Sequence, residues 1–150
     1  MPQSLSQVLL HIVFSTKNRV PLIPLEIEPE LYAYLGQICN NHHCPSIRIN
    51  GVGNHVHILC GFSRTLTIAG LVEELKTGTS KWLKTKSPDL SRFSWQNGYG
   101  VFSVDWRNSD NVKSYIAGQK EHHHLVTFEE EYRKLLRDFG IPFDERYVWD

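Results

Sequence analysis

Apolar and polar positions change their period several times along the chain, and each change marks an element. Residues 8–14 form an apolar, β-branched run closed by the polar stretch Ser15 to Arg19, which predicts a buried first strand. Leu31, Tyr32, Leu35 and Ile38 then recur at helical spacing behind Pro29, a residue suited to a first helical turn, until His42-His43-Cys44-Pro45 breaks the pattern. Two short runs, 47–52 and 55–60, flank the tight-turn dipeptide Gly53-Asn54 and predict a hairpin. Leu71, Val72, Leu75 and Trp82 make the apolar face of a second helix over residues 68–84, with Thr67 as its cap. After Pro88 and the polar stretch 94–98, residues 99–106 alternate as a fourth strand. Two more helices are predicted, over 111–122 with Asp110 as cap and over 128–139, ended by Gly140 and Pro142.

The order β-α-β-β-α-β is the ferredoxin-like arrangement, an α+β fold in which both helices cover one face of an antiparallel four-stranded sheet; here C-terminal helices are appended. Nothing resembles a Pro/Ser/Gly-rich linker, so residues 1–150 are expected to form a single domain. No window approaches the roughly 20 apolar residues of a membrane span, and Met1-Pro2-Gln3-Ser4 does not open a basic and then apolar leader. The three cysteines, Cys39, Cys44 and Cys60, are an odd number and disfavour a disulfide framework. A cytoplasmic protein without a membrane partner is the expectation.

Net charge is zero, but the zero conceals an asymmetry. Residues 1–120 carry 12 Lys and Arg against 8 Asp and Glu, whereas residues 121–150 carry 4 against 8. The body is therefore modestly basic and the tail acidic. Lys76, Lys81, Lys84, Lys86 and Arg92 form the densest basic run, which suits either a solvated helix face or a phosphate-binding one.

Candidate chemistry centres on His55-Val56-His57. Residues at i and i+2 of a strand share a face about 6.5 to 7 Å apart, near enough for two imidazoles to reach one metal ion, although two solvent-facing histidines would show the same pattern. On the third predicted helix, Tyr115 and Gln119 share a face at i, i+4 spacing and offer a nucleophile and a third ligand. That pairing sets Tyr115 apart from Tyr32, Tyr34, Tyr99, Tyr132 and Tyr147. A phenol of reference pKa about 10 needs positive charge beside the phosphate it attacks, so the constellation suggests phosphoryl transfer with Mg²⁺, Mn²⁺ or a similar ion as Lewis acid. Gly118, inside the same helix, suggests close packing or a hinge. Cys39-x-x-His42-His43-Cys44 has ligands for zinc on paper but the spacing of no familiar knuckle. His122-His123-His124 could bind metal or sit near a nucleic acid, yet reads most simply as a polar helix end. A histidine-triad nucleotide hydrolase would need a third histidine where Leu59 stands.

Taken together, His55-Val56-His57, Tyr115-Ile116-x-x-Gln119, the opening stretch from His11 to Arg19, and Trp95-Gln96-x-Gly98-Tyr99-Gly100-x-Phe102-Ser103-Val104 resemble the single-tyrosine HUH transposases of small bacterial insertion sequences. The ending resembles the subgroup of repeat-associated tyrosine transposases, and Asn54 departs from the acidic residue common before the first histidine. The resemblance implies a metal-dependent single-strand nuclease and strand transferase. In it Tyr115 forms a 5′-phosphotyrosine link and frees a 3′-hydroxyl, while His55, His57 and Gln119 hold the divalent ion. No nucleotide cofactor is required, because the covalent link conserves the energy of the cut bond. The resemblance also implies recognition of DNA hairpins near element ends, and a homodimer whose active sites are shared between subunits. A domesticated relative that binds hairpins without transposing anything is the alternative. Basic grooves and aromatic platforms bind single strands, which makes Lys17, Arg19, Lys76 and Lys81 candidate backbone contacts and Trp95 a candidate stacking surface, with a core position the competing reading of Trp95.

Overall fold

The structure is a computed structural model and describes residues 2–150. Four strands, β1 (Leu9–Ser15), β2 (Ser46–Val52), β3 (His55–Gly61) and β4 (Gly100–Val104), form one antiparallel sheet in the order β2-β3-β1-β4. Helices α1 (Glu28–Asn41) and α2 (Ile68–Leu83) follow β1 and β3, so the predicted ferredoxin-like order holds. Strand β3 and strand β1, which carry the motif histidines, are the two central strands.

Strand alternation divides the side chains between two cores. Leu10, Ile12, Phe14, Val56, Ile58 and Cys60 face α1 and α2, where they pack with Leu31, Leu35, Leu71 and Leu75. The other face turns Val13 and Phe102 toward Phe128, Tyr132 and Leu136, and Leu9 and Leu59 toward Ile116. The appended helices therefore cover the second face of the sheet. They are α3 (Ser109–Ala117), α4 (Gln119–His122) and α5 (Phe128–Asp138).

Several details differ from the sequence reading; among them, the third helix begins at Ser109, so Asp110 lies inside its first turn instead of capping it. The fourth strand is shorter than residues 99–106, because Trp106 starts a single 3₁₀ turn and stands exposed. Within that strand, a Cβ on Gly100 would sit 2.7 Å from the Tyr132 ring, so the glycine admits the close approach of α5. The expected helix over 111–122 is broken at Gly118 (φ −89°, ψ 12°) into α3 and α4. A Cβ there would meet only Ser114 O at 3.5 Å and Tyr115 O at 3.8 Å, which are ordinary contacts, so Gly118 marks a break rather than a tight packing point.

Trp95 and Gln96 belong to the scaffold. Gln96 exchanges backbone and side-chain hydrogen bonds with Ser15 at the end of β1, and its Nε2 donates to Asp150 O at 3.3 Å. With Gly98 N–H donating to the same oxygen at 2.7 Å, the C-terminal segment is tied down beside the sheet.

Candidate active site

Both motif histidines are 0% exposed, which removes the solvent-facing alternative. Their outer nitrogens are occupied. His55 Nδ1 lies 2.8 Å from Asn54 Oδ1, and the Asn54 amide is oriented by Nδ2 donating to Arg19 O at 3.3 Å. His57 Nδ1 lies 2.7 Å from His11 Nε2, across the β1–β3 pairing. The Nε2 atoms are thereby turned inward, toward α4 and α5.

What they meet there is a cluster of acceptors. His55 Nε2 is 3.1 Å from Gln119 Oε1 and 3.4 Å from Glu131 Oε1; His57 Nε2 is 3.0 Å from Glu131 Oε1. His123 Nε2 completes the cluster, 2.9 Å from Gln119 Oε1 and 3.0 Å from Glu131 Oε1, while its Nδ1 faces Val126 O at 2.8 Å. Ligand atoms of His55, His57, His123 and Glu131 lie within 4.8 Å of one another.

Tautomer logic shows what this arrangement suits. A neutral imidazole has one N–H, and in both His55 and His123 the Nδ1 partner is an oxygen that can only accept. Their Nε2 lone pairs therefore point at Gln119 Oε1 and Glu131 Oε1, which are lone pairs too. Gln119 is held in that orientation because its Nε2 donates to Glu131 Oε2 at 2.9 Å. Converging lone pairs on imidazole, amide and carboxylate require a positive charge among them, and that donor set fits a divalent cation. Burial lowers His55 to a pKa of about 4 and His11 to about 3, so neither supplies the charge at neutral pH.

Tyr115, on α3, is half-buried beside this cluster and donates its hydroxyl to Glu131 Oε2. Its ring meets His57 edge-on at 5.8 Å and His122 at 5.6 Å. Burial raises the phenol well above its usual pKa, and the charge and hydrogen bond of Glu131 push the same way. A cleft of about 600 Å³, lined by His11, Phe102, Asn111, Tyr115, His122 and Glu131 among others, gives access to the hydroxyl. On the other side, Arg19 and His123 share the wall of a smaller pocket of about 500 Å³.

Helices α3 and α4 dock on their own chain. Asn50 Nδ2 on β2 donates to Ile116 O at 2.9 Å and Ala117 O at 3.2 Å, and Lys120 Nζ donates to Asn50 Oδ1 and Gly51 O. Tyr115 and Gln119 thus meet the histidines of the same chain.

The expected DNA contacts fare unevenly. Lys17 and Lys81 are exposed, and Arg19 lies 3.6 Å from Glu129 with its guanidinium over Trp149. Lys76 is committed elsewhere: its ammonium donates to Gln96 O, Asn97 O and Gly98 O, and burial lowers its pKa to about 8. Trp95 is 5% exposed, wedged edge-on against Phe14 and Phe93, with its indole N–H donating to Thr79 Oγ1. The stacking-surface expectation for Trp95 is therefore corrected to a core aromatic, because no ring face is left for a base. Among the described residues the three cysteines are free and join no metal-binding cluster.

Sequence reading missed Glu131 and ranked metal binding by His123 below a polar helix end. Glu129-Glu130-Glu131 looks like acidic decoration of a helix start, yet Phe128, Glu131, Tyr132, Leu135 and Leu136 fall at i, i+3, i+4, i+7 and i+8. That spacing puts Glu131 alone of the three on the apolar face, the signal by which it was recognisable.

Two solved structures share the fold. A candidate transposase from Deinococcus radiodurans R1 is 20% identical with a TM-score of 0.61, covering 79% of this chain and 98% of its own. A REP-associated tyrosine transposase bound to a REP hairpin is 11% identical with a TM-score of 0.61, covering 84% of this chain and 74% of its own. None of the curated proteins matches. Residues 4–119, from before β1 to the glutamine of α4, match the family described as "Transposase IS200 like". A match over so much of the chain, reaching both histidines of β3, Tyr115 and Gln119, places this protein in the IS200-like transposase family.

Proposed function

We propose that this protein is a metal-dependent single-strand DNA endonuclease and strand transferase with Tyr115 as nucleophile. The observation that carries the reading is the meeting of the Tyr115 hydroxyl, the inward Nε2 atoms of His55 and His57, and Gln119 at one buried carboxylate beneath an open cleft. In the proposed step the Tyr115 oxygen bonds to phosphorus and its proton leaves to the solvent of the cleft. The bond to the 3′-oxygen breaks and that oxygen takes up a proton from the same solvent, leaving a 5′-phosphotyrosine and a 3′-hydroxyl. Attack by another 3′-hydroxyl reverses the step and joins new DNA ends without a nucleotide cofactor.

His55, His57 and Gln119 would hold the ion, Mg²⁺ or Mn²⁺; when bound it supplies positive charge that polarises the scissile phosphate. The chain's own residues orient the rest. Glu131 aims the phenol, and Asn54 and His11 hold the imidazoles by their outer nitrogens. Exposed Lys17 and Lys81, with Arg19 at the pocket rim, are the proposed backbone contacts. Hairpin DNA with a single-stranded flank is the proposed substrate, since a structural relative is described as bound to a REP hairpin. A homodimer, with each protomer using its own site, completes the proposal.

The test uses labelled single-stranded oligonucleotides carrying hairpins, incubated with Mg²⁺ or Mn²⁺, run on a denaturing gel and followed by peptide mapping. The parent should form an adduct at Tyr115 that Tyr115→Phe cannot form, with folding and DNA binding retained. Cleavage without an adduct would point to activated water instead, and an adduct at another tyrosine would remove Tyr115 from the role.

A further inference from the structure

The carboxylate at the centre of the site lies outside the segment that the family match covers. Residues 4–119 include β1 through Gln119, whereas Glu131 and His123 belong to the following α4–α5 segment. A set of two imidazoles and one amide is neutral. Mg²⁺ and Mn²⁺ favour hard, anionic oxygen, so a carboxylate at the same point changes the chemistry of the site.

We propose that Glu131 is itself a ligand of the divalent ion through Oε1, while Oε2 holds the Tyr115 hydroxyl, so that one carboxylate ties the nucleophile to the metal centre. The inference rests on the functional reading above and adds a ligand and a coupling to it. Three observations support it. First, Oε1 lies 3.0 Å from His57 Nε2, 3.0 Å from His123 Nε2 and 3.4 Å from His55 Nε2, at the convergence of the inward nitrogens. Second, Oε2 is used differently, accepting from Tyr115 and from Gln119 Nε2. Third, Glu131 is 3% exposed, while its neighbour Glu130 is exposed and takes no part in the cluster. A carboxylate buried this deeply needs compensating charge, yet with Nδ1–H given to Asn54 Oδ1 and Val126 O, His55 and His123 turn Nε2 lone pairs toward it.

The competing arrangement is an ion-free cluster in which one imidazolium compensates Glu131. Mn²⁺ titration of the full chain, read by calorimetry and by the electron paramagnetic resonance of free and bound Mn²⁺, separates the two. Five proteins are compared: the parent, Glu131→Gln, Glu131→Asp, His57→Ala and Glu130→Gln, each checked for folding by circular dichroism. Glu131→Gln should bind Mn²⁺ at least about tenfold more weakly, as His57→Ala should, while Glu130→Gln keeps the parent's affinity although it removes the same charge one residue away. Glu131→Asp, with the carboxylate kept but shortened, should recover part of the lost affinity and guards against a fold defect in the glutamine variant.

Coupling to the tyrosine is read separately, as the single-turnover rate of adduct formation at saturating Mn²⁺. Glu131→Gln should remain slower than the parent even there, because Oε2 no longer aims the hydroxyl as a carboxylate does. Full recovery would overturn the coupling. Parent-like Mn²⁺ affinity in Glu131→Gln, or absence of bound Mn²⁺ in the parent, would overturn the ligand. Failure here is distinguishable from failure of the functional reading: a parent that forms the Tyr115 adduct while Glu131→Gln binds Mn²⁺ normally loses only this inference. A parent that forms no adduct, but whose Mn²⁺ affinity depends on Glu131, loses only the nuclease.

Discussion

At the scale of single residues, the site depends on which nitrogen of each imidazole carries the proton. Asn54 sets this for His55, because its oxygen accepts from Nδ1 at 2.8 Å and its amide is anchored to Arg19 O. Orienting partners of this kind typically govern metal affinity by 10–100-fold, so Asn54→Ala should weaken Mn²⁺ binding by about that factor with little loss of stability. Asn54→Asp keeps the acceptor and should bind at least as tightly as the parent. Calorimetric titration of the two variants checks this, and equal affinity in parent and Asn54→Ala would show that the tautomer is set elsewhere. The histidine pair was legible in sequence because alternation encodes a shared strand face; Tyr115 and Gln119 were picked out by helical spacing, although the helix breaks between them at Gly118. Glu131, His123 and the His11–His57 contact were less accessible: each depends on which strands and helices become neighbours, and local spacing carries no such information. The same gap explains Trp95 and Lys76, whose residue types suit DNA but whose surroundings are a core and three backbone carbonyls.

Element by element, the first six predicted segments appear in order, since alternation and helical spacing are local signals that burial of one face enforces. The position of the appended helices was not predicted; they close the second face of the sheet and so convert a strand motif into a buried site. Helix α5 carries this function on only 11 residues, with Thr127 as its cap accepting from Glu130 N at 3.2 Å and Phe128, Tyr132 and Leu136 as its anchors. Removing the cap by Thr127→Ala should cost about 1 kcal/mol, the usual worth of such a cap. Urea unfolding is the measurement, with a lower midpoint and an unchanged slope expected. Because Glu131 lies one turn past that cap, the variant should also bind Mn²⁺ more weakly than the parent at temperatures near its unfolding transition. An unchanged midpoint would mean that packing alone sets the start of α5.

For the molecule as a whole, the question is whether one chain makes one site. Charge gives part of the answer: Glu131 lies inside the site, Glu129 reaches Arg19, and within the tail Arg133 pairs with Glu145, Arg146 with Asp144 and Lys134 with Asp138. The tail is bound to its own body as well, through Asp150 to Gln96 and Gly98 and through Trp149 to the Tyr132 cluster. On the opposite side, Asn50 and Lys120 fasten α3 and α4 to β2 of the same chain. Exchanging the tyrosine helix with a partner would break these contacts in both protomers and remake them across an interface, whereas a homodimer formed through another surface would leave each site whole. Mixing His57→Ala and Tyr115→Phe subunits distinguishes the arrangements. With sites complete in each chain, neither protomer of a mixed dimer has both the ligand and the nucleophile, so adduct formation should stay at the level of the single variants. With exchanged helices, one of the two composite sites would regain His57 and Tyr115 together and restore up to about half of the parent activity. The contacts of α3 and α4 lead us to expect no recovery, and recovery in dimers verified as mixed would assign the tyrosine helix to the partner.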